Sequence, residues 1–265
     1  MTPMAYGIKP PVEPPVYGEE PAITKGISKP MFGGNHPNIS EEDKKLLNEL
    51  LVSNVKFDNK KAKDIILSVS KKTGLSPEFI SASALQEGMN LAIRYPDEVS
   101  QSYVDAKIDE KYPIDGFYNY GLDTFGDAYE KLKNKGYLPK DFDYKPYKAI
   151  NEKRQMVNTA AFKSNEDALM AKAAYLRDFM DSVKDVAKKS KLELNDRALK
   201  YFTVAAYNGG IGSVMDMINE MKDSGKTFDE YVKEGSKKRA NVHKSASSRM
   251  DKMDYLSSLF LDKNL

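Results

Sequence analysis

The spacing of hydrophobic residues becomes helical after residue 40. Ser40 precedes three acidic residues, which is the pattern of a helix N-cap with negative charge in the first turn. Four leucines then recur at helical spacing: Leu46, Leu47, Leu50 and Leu51. The sequence predicts a second helix over about residues 60–72 that ends at Gly74, and a third that begins at the Ser76-Pro77 pair.

Helical spacing returns in the second half of the chain. Ser164 opens a long helix with a single apolar stripe, which consists of Leu169, Ala173, Leu176, Met180 and Val183. Asn195 caps another helix, which contains ALKYFTVAAY and ends at Asn208-Gly209-Gly210. Thr227, with Glu230 three residues later, predicts a capping box at the start of one more helix.

Strand-like alternation is scarce along the chain, and no repeat of 20–50 residues is visible. The predicted fold class is therefore mainly α. One long irregular stretch lies between about Tyr95 and Lys163 and is rich in Asp, Tyr, Gly and Pro. A loop region of that size in a compact domain usually lines a site or forms an insertion.

Residues 1–40 differ from the rest of the chain in composition. They hold eight of the 13 prolines and five glycines, which favours neither a helical stripe nor a sustained strand. We expect an extended proline-rich arm. This arm is either a loose tail or a strap that orders against a partner protein, because polyproline-like backbone loses less entropy on docking than a flexible coil.

Composition narrows the chemistry that the chain can perform. Cysteine is absent, which excludes thiolate nucleophiles, zinc–thiolate sites and disulfide bonds. His36 and His243 are the only histidines, so neither a Ser-His-Asp triad nor a multi-histidine metal site is expected. We therefore predict no cofactor and no metal, and expect carboxylates to act in any catalysis.

The charge balance and the hydrophobic runs exclude two further classes. The 41 basic and 39 acidic residues leave a net charge of +2, which argues against a specific nucleic-acid partner. No apolar run reaches the roughly 18 residues of a membrane span, and the N-terminal segment lacks the charged-then-apolar layout of a secretory signal. We expect synthesis in the cytoplasm, so a role outside it would need another delivery route.

Glu87 has unusual neighbours on the predicted third helix. It follows Ile80 by seven residues, Ser83 by four and Ala84 by three, so its carboxyl shares a helix face with apolar and small side chains. If that face is buried, lost hydration raises the pKa of the carboxyl and keeps it protonated near neutral pH, as a general acid requires. If the helix ends there, the carboxyl lies in solvent. The spacing leaves both interpretations open.

The second candidate segment is AAYNGGIG, residues 205–212. Its small residues allow close approach to a neighbouring helix, and Tyr207 carries a hydroxyl on an apolar ring. The Gly209-Gly210 pair allows a sharp chain reversal with exposed backbone donors.

Together, SASALQEG at residues 81–88 and the AYNGG segment resemble the lysozyme-like domain of soluble lytic transglycosylases and goose-type lysozymes. The resemblance covers roughly residues 66–214 and keeps the family order of Glu helix, Gly-Leu segment, alanine-rich helix and Tyr-Asn-Gly turn. Gly88 stands where the family usually has Ser. The segment Gly121-Leu122-Asp123-Thr124 matches the family's Gly-Leu-Met-Gln in part, and the long interval between the two motifs implies an insertion within residues 88–163.

The resemblance implies cleavage of peptidoglycan at a β-1,4 glycosidic bond with Glu87 as the catalytic acid, since the leaving oxygen needs a proton. In lytic transglycosylases the same residue then acts as a base while the muramoyl C6 hydroxyl attacks its own anomeric carbon, which gives a 1,6-anhydro product. In goose-type lysozymes water attacks, and an acidic residue across the cleft holds it. The candidates for that residue are Asp97, Asp105, Asp109, Asp115 and Asp123.

Further residues are expected to bind the glycan. Tyr207 is predicted to hydrogen-bond Glu87 or the sugar, and the other substrate-binding candidates are Asn208, Tyr120, Gly121 and Leu122. An aromatic group either offers flat faces to sugar rings or belongs to the core: Tyr112, Phe117, Tyr118, Tyr120 and Phe125.

The chain is thus predicted to comprise an extended arm (1–40), a lysozyme-like helical domain (41–225) and a helical C-terminal extension (226–265). Basic residues dominate 232–252 and form either a solvated helix face or a surface for an anionic wall polymer, membrane surface or nucleic acid. The expected partners are peptidoglycan glycan strands and, through residues 1–40, other proteins of a bacteriophage particle that opens the cell wall locally. The alternative is a catalytically silent structural virion protein that retains the lysozyme-like scaffold.

Overall fold

A computed structural model of the chain describes residues 39–52, 56–57, 60–84, 114–115, 128–150 and 156–262. These residues form a mainly helical fold, as predicted. The helices are α1 (Glu41–Val52), α2 (Ala62–Thr73), α3 (Pro77–Ala84), α4 (Ala128–Asn134), α5 (Asn165–Lys189), α6 (Asp196–Asp223), α7 (Phe228–Glu234) and α8 (Ala240–Asp262). The strands are β1 (Lys56–Phe57), β2 (Lys60–Lys61), β3 (Ile114–Asp115), β4 (Lys145–Ile150) and β5 (Met156–Phe162).

The predicted helix starts are confirmed at their capping residues. The side chains of Ser40, Ser164 and Asn195 each accept a hydrogen bond from the backbone N–H three residues later, at 3.0, 3.1 and 2.8 Å. Thr227 and Glu230 form the predicted capping box. Each cap satisfies backbone donors that the first helical turn leaves without an intrahelical acceptor.

The end of α2 is also confirmed. Gly74 adopts a left-handed φ of +68° and donates its N–H to the carbonyl of Ser70, which is the geometry of a glycine C-cap. α2 packs on α3 and α5 through buried apolar residues: Ile65, Ile66 and Val69. α2 begins at Ala62 rather than Lys60, because Lys60 and Lys61 pair as β2 with β1.

α5 and α6 form the centre of the hydrophobic core. The predicted stripe of α5 is buried along its whole length: Leu169, Ala173, Leu176, Met180 and Val183. Residues 168–174 of α5 and 200–206 of α6 are buried on every helix face, which a surface helix does not show. Neighbouring elements therefore surround both helices at this level.

The sequence predicts an irregular stretch between about Tyr95 and Lys163. This prediction is wrong for the last part of the stretch, which contains α4, β4 and β5. β3 and β4 both pair antiparallel with β5, in the order β3-β5-β4, and the register runs from Lys145 opposite Ala161 to Ile150 opposite Met156. β4 contains Pro146 at a sheet edge, and β5 ends in three consecutive buried residues, 160–162. Neither strand shows a clear alternation of apolar and polar residues. These segments therefore become strands through pairing with each other, which the local sequence pattern does not indicate.

An aromatic cluster lies where α4 packs against the end of β5. The Tyr129 ring lies 4.5 Å from that of Tyr144 and meets Phe162 edge-on at 5.9 Å. Burial raises the pKa of Tyr129, and nearby tyrosines, Tyr144 first and Tyr207 after it, raise it further. Tyr129 is thus the centre of this cluster, with the rings of Phe142, Tyr144 and Phe162 around it.

α8 contributes to the same core. It packs on α6 and α3 with apolar residues that are all buried: Ala246, Met250, Met253, Leu256 and Leu259. The connection from α7 to α8 is fixed by Glu220 of α6, whose carboxylate accepts hydrogen bonds from the Ser236 hydroxyl at 2.6 Å and the Lys237 N–H at 2.9 Å. Residues after 225 thus supply one wall of the helical core.

Candidate functional site

Gly210 interrupts α6 at the segment predicted to end it. Its φ of +75° and ψ of 164° lie outside the helical region, in conformations that only glycine adopts at low cost. α6 therefore consists of two halves that meet at the AYNGG turn. Tyr207 is half-buried in the last turn of the first half, whereas Asn208, Gly209 and Gly210 are exposed. The prediction that a helix ends here is confirmed.

The start of α8 lies directly against this turn. Asn208 Nδ2 donates a hydrogen bond to Ser245 Oγ at 2.9 Å. A Cβ on Gly209 would lie 2.6 Å from Val242 Cγ2 and 2.9 Å from Ser213 Oγ, so any larger residue would displace these neighbours. Glycine at this position therefore permits the close approach of α8.

Tyr207 lies between aromatic rings and basic side chains. The rings of Tyr175 and Phe179 meet it nearly edge-on, with centroids at 6.3 and 6.1 Å. Lys172 Nζ lies 4.3 Å from the Tyr207 ring centroid and donates to its hydroxyl at 3.0 Å, while Arg249 Cζ lies 5.5 Å from the same centroid. These distances suit cation–π contacts. α5, α6 and α8 thus converge on one tyrosine.

The sequence analysis placed neither of these cations beside Tyr207. Lys172 is 2% exposed and Arg249 is 1% exposed. Lys172 is the single polar residue of ALMAKAA, residues 168–174, and a lone lysine in an apolar run that covers every helix face is the signal that identifies a buried charge. The sequence analysis grouped Arg249 with the other basic residues of 232–252. Because its neighbours in the sequence are also charged, no isolated charge in an apolar run indicated that Arg249 is buried.

α3 is the helix that directly precedes Glu87 in the sequence. Ile80 and Ser83 are buried, so the apolar face predicted from the spacing is buried at least as far as Ser83. The Ser83 hydroxyl has no hydrogen-bond partner among the residues that the structure describes. α3 packs on α8, which also carries Arg249 and contacts the AYNGG turn.

A buried ion pair joins the start of α3 to the start of α6. Lys200 Nζ lies 3.2 Å from Glu78 Oε1 and 2.8 Å from Asp196 Oδ2. The side chains of Lys200 and Glu78 are both almost fully buried. Lys200 precedes Tyr207 by seven residues, which places the pair two helical turns away from the AYNGG turn.

Several predicted site residues lie outside the described residues. These are Glu87, Tyr120, Gly121 and Leu122, together with the aromatic group at residues 112–125. Of the five acidic candidates, only the backbone of Asp115 is described, in β3. The others lie outside: Asp97, Asp105, Asp109 and Asp123. The roles given to these residues stay predictions, and Tyr207 and Asn208 are the predicted site residues that the structure describes.

The basic residues of 232–252 fall into different environments. Arg239 pairs with Asp216 at 2.6 Å, and Lys252 pairs with Asp43 at 3.4 Å. Arg249 is buried, whereas Lys237 and Lys238 are exposed. These residues therefore do not form one continuous solvated face, and their attraction to an anionic partner stays a prediction.

No protein-family model matches the chain, no curated protein matches its sequence, and no solved structure matches its fold. The family resemblance therefore rests on the residues of the two motif segments. Among the described residues, no helix is both long and apolar enough to cross a membrane. The same part of the chain contains no group of three or more His, Asp or Glu residues arranged to hold a metal ion.

Proposed function

We propose that the chain is a peptidoglycan-cleaving glycosidase, a lytic transglycosylase or muramidase that acts on the β-1,4 bond between N-acetylmuramic acid and N-acetylglucosamine. The observation that carries the proposal is the construction of the AYNGG turn. Gly210 ends the first half of α6, and the Tyr207 hydroxyl just before it is held inside the protein by Lys172. α8 contacts both this turn and α3, the helix that precedes Glu87. The two motif segments are thus linked through one helix.

In the proposed reaction, Glu87 donates its proton to the glycosidic oxygen as the bond to the anomeric carbon breaks. Positive charge develops at that carbon, and Glu87 becomes a carboxylate. The carboxylate then accepts a proton either from the C6 hydroxyl, which closes a 1,6-anhydro ring, or from water, which leaves a reducing end. Tyr207, Asn208, Tyr120, Gly121 and Leu122 are proposed to bind the glycan.

The proposal includes a location. A bacteriophage particle would deliver the enzyme to the cell wall and open the wall locally. Residues 1–40 would bind other virion proteins.

Digestion of isolated peptidoglycan tests the proposal. The Glu87→Gln variant keeps the shape of the side chain and removes its transferable proton, so we expect muropeptide release to fall about 100-fold or more. Glu193→Gln is the matched control, because Glu193 is exposed in the connection between α5 and α6 and its substitution should leave the rate unchanged. Equal release by the wild type and Glu87→Gln would remove Glu87 from the mechanism.

Mass spectrometry of the products distinguishes the two forms of the reaction. Anhydromuramic ends indicate attack by the C6 hydroxyl, and reducing ends, 18 Da heavier by one added water, indicate hydrolysis. A hydrolytic outcome would justify Asp→Asn substitutions at the five acidic candidates one at a time.

The second candidate function is a catalytically silent structural virion protein. Gly88 and the partial match at Gly121-Leu122-Asp123-Thr124 favour it, because these residues depart from the family pattern next to the proposed acid and substrate site. This function predicts that the purified wild-type chain releases no muropeptides between pH 4 and pH 8 while remaining folded.

A further inference from the structure

His243 lies where three helices meet. It belongs to the first turn of α8, and its half-buried ring meets the rings of Tyr201 of α6 and Tyr231 of α7, with centroids at 6.0 and 6.5 Å. A Cβ on Gly235 would lie 3.2 Å from the ring atoms Cδ2 and Nε2, so the ring also lies directly against the connection between α7 and α8. The proposed function gives His243 no role, although histidine is the side chain whose charge ordinarily changes between about pH 5 and 8.

The hydrogen bond between Tyr201 and Nδ1 of His243 favours a neutral imidazole. Burial raises the pKa of Tyr201 well above its ordinary value, so its hydroxyl keeps a proton that it can donate. A neutral ring accepts this proton at Nδ1 and carries its own on Nε2, whereas a protonated ring has N–H groups on both nitrogens and accepts at neither. Protonation of His243 therefore breaks the donation from Tyr201.

Ser247 is the next polar group at these two side chains. Its hydroxyl lies 3.4 Å from Nε2 of His243, and its interaction with Tyr201 lowers the pKa of that phenol against the larger effect of burial. When Nδ1 no longer accepts, Ser247 is the group to which Tyr201 can turn its proton. The neutral and protonated rings therefore require different hydrogen bonds between α6 and α8.

The titratable groups that face His243 do not compensate for a charge on its ring. Burial lowers the pKa of His243, and the Glu220 carboxylate of α6 raises it by less. Tyr201 and Tyr231 are neutral, because burial raises the pKa of both phenols. Arg239, at the end of the connection, pairs its guanidinium with a carboxylate of α6 and offers His243 only its carbonyl, which accepts the backbone N–H at 2.9 Å.

His243 also lies between the two contacts that join α8 to the AYNGG turn. Val242, directly before it, lies against Gly209, where a Cβ would be 2.6 Å from Val242 Cγ2. Ser245, two residues after it, accepts a hydrogen bond from Asn208 at 2.9 Å. A change in how His243 is held is therefore transmitted to both contacts.

We propose that His243 is a pH-sensitive latch at the junction of α6, α7 and α8, closed while its imidazole is neutral and loosened when the imidazole is protonated. The neutral ring accepts from Tyr201 and fixes the start of α8, whereas the protonated ring loses that bond and places a charge among aromatic rings. The latch goes beyond the proposed function, since none of its groups takes part in glycosidic cleavage.

The direction of the pH dependence follows from the lowered pKa of His243. Because this pKa lies below the ordinary value of 6.5, the folded junction binds a proton less readily than the opened one. The stabilisation is complete above pH 6.5 and is lost as the pH falls through the folded pKa.

Proton NMR of the full chain tests the first step, because the chain has only two histidines, His36 and His243. The His243 ring signal is assigned by its loss in His243→Phe, or in His243→Gln if the first variant does not fold. We expect it to titrate with a midpoint below 6.5. Tyr201→Phe should raise this midpoint, since it removes a donor that only the neutral ring can use. Asn241→Ala, at an exposed position of the same helical turn, is the control and should leave it unchanged.

Hydrogen exchange measured by mass spectrometry tests the loosening itself. Exchange of residues 235–243 is compared at about pH 7.5 and about pH 5.5 after correction for the intrinsic pH dependence, with residues 176–187 of α5 as the internal reference. Opening of 235–243 should increase about tenfold for each pH unit between 6.5 and the folded midpoint, because one pKa unit corresponds to a tenfold change in an equilibrium. This increase should be absent in His243→Phe.

Three outcomes would overturn the latch. The first is a His243 midpoint at or above 6.5, and the second is a midpoint that Tyr201→Phe does not raise. The third is an acid-induced increase in exchange that is equal in both segments or persists in His243→Phe. Failure of peptidoglycan digestion would leave the latch intact, since both measurements are made without substrate.

Discussion

Two buried lysines lie near opposite ends of the first half of α6, and they contact different kinds of group. Lys200 lies between the carboxylates of Glu78 and Asp196, which balance its charge. Lys172 donates to the neutral hydroxyl of Tyr207, where Arg249 adds positive charge. The first region is an ion pair that ties α3 to α6. The second concentrates positive charge beside the turn that carries the proposed function.

This contrast shows that burial alone does not identify a functional charge. Both lysines are almost fully buried, and both lie in helix segments that are buried on every face. Their described contacts differ, because Lys200 pairs with two carboxylates, an arrangement that fixes structure, whereas Lys172 donates to a hydroxyl. The following substitutions measure that difference, in order of decreasing effect.

Lys200→Met should cause the largest loss of stability. It leaves the Glu78 carboxylate buried without its ammonium partner, and removal of one member of a buried pair costs about 3–5 kcal/mol. The free energy of unfolding is measured from urea titrations. Lys188→Met, at an exposed position of α5, is the control and should change stability by less than about 0.5 kcal/mol. A loss below about 1 kcal/mol for Lys200→Met would contradict a structural role for this pair.

Glu166→Gln removes a carboxyl that is paired with two exposed lysines and has a defined pH dependence. The pKa of the Glu166 carboxyl is lowered from 4.5 to about 2. Burial alone raises this pKa, but hydrogen bonds from Lys60, Lys72 and Ser68 lower it by more. Because the folded pKa lies below the unfolded one, the stabilisation is complete above pH 4.5 and is lost as the pH falls towards 2. Both lysines are more than half exposed, so screening reduces the contribution to about 1–2 kcal/mol.

Urea titrations at pH 7 and pH 3 check this expectation. Stability of the wild type should fall more steeply between the two values than that of Glu166→Gln, which lacks the titrating carboxyl. Parallel slopes would show that Glu166 binds its proton equally well in the folded and unfolded chains.

In Lys172→Met, loss of the hydrogen bond to Tyr207 should cost about 1 kcal/mol, because the hydroxyl that accepts it is a neutral group. The measurement is again unfolding in urea, beside Lys200→Met. An equal loss in both variants would mean that the two lysines neutralise buried carboxylates to the same extent, and the contrast between the regions would disappear.

Ser83→Ala should have the smallest effect, between neutral and a gain of about 1 kcal/mol. The Ser83 hydroxyl is buried and has no hydrogen-bond partner in the described part of the chain, so its removal relieves a desolvation cost. Ser81 on the same helix is the matched control, since its hydroxyl donates to the Pro77 carbonyl at 2.7 Å. Ser81→Ala should therefore lose about 0.5–1.5 kcal/mol. Destabilisation by Ser83→Ala would reveal a partner for that hydroxyl.

Local sequence patterns predicted the features whose cause is local. Ser40, Ser164 and Asn195 cap helices because their side chains bond to backbone groups three residues away. Gly210 ends the first half of α6 because its conformation suits glycine alone. The apolar stripe of α5 followed from helical period, which is set by the backbone.

Features that depend on distant partners were not predictable in the same way. β4 and β5 form through pairing with each other, and their residues show no clear alternation. The position of Arg249 beside Tyr207 depends on how α8 packs against α6, which no spacing within α8 specifies. At the candidate site, the sequence analysis predicted roles for Tyr207 and Asn208 but did not place the charges around them, because those charges come from other helices.

The packing of α8 against α3 and α6 has a practical consequence for the expression of C-terminally truncated variants. A shortened product that stops at residue 225 keeps both motif segments, yet it lacks the wall that buries Met250, Met253 and Leu256 and carries Arg249. Such a fragment would expose an apolar surface and would aggregate. An inactive fragment of this kind would therefore give no information about the chemistry of the intact chain.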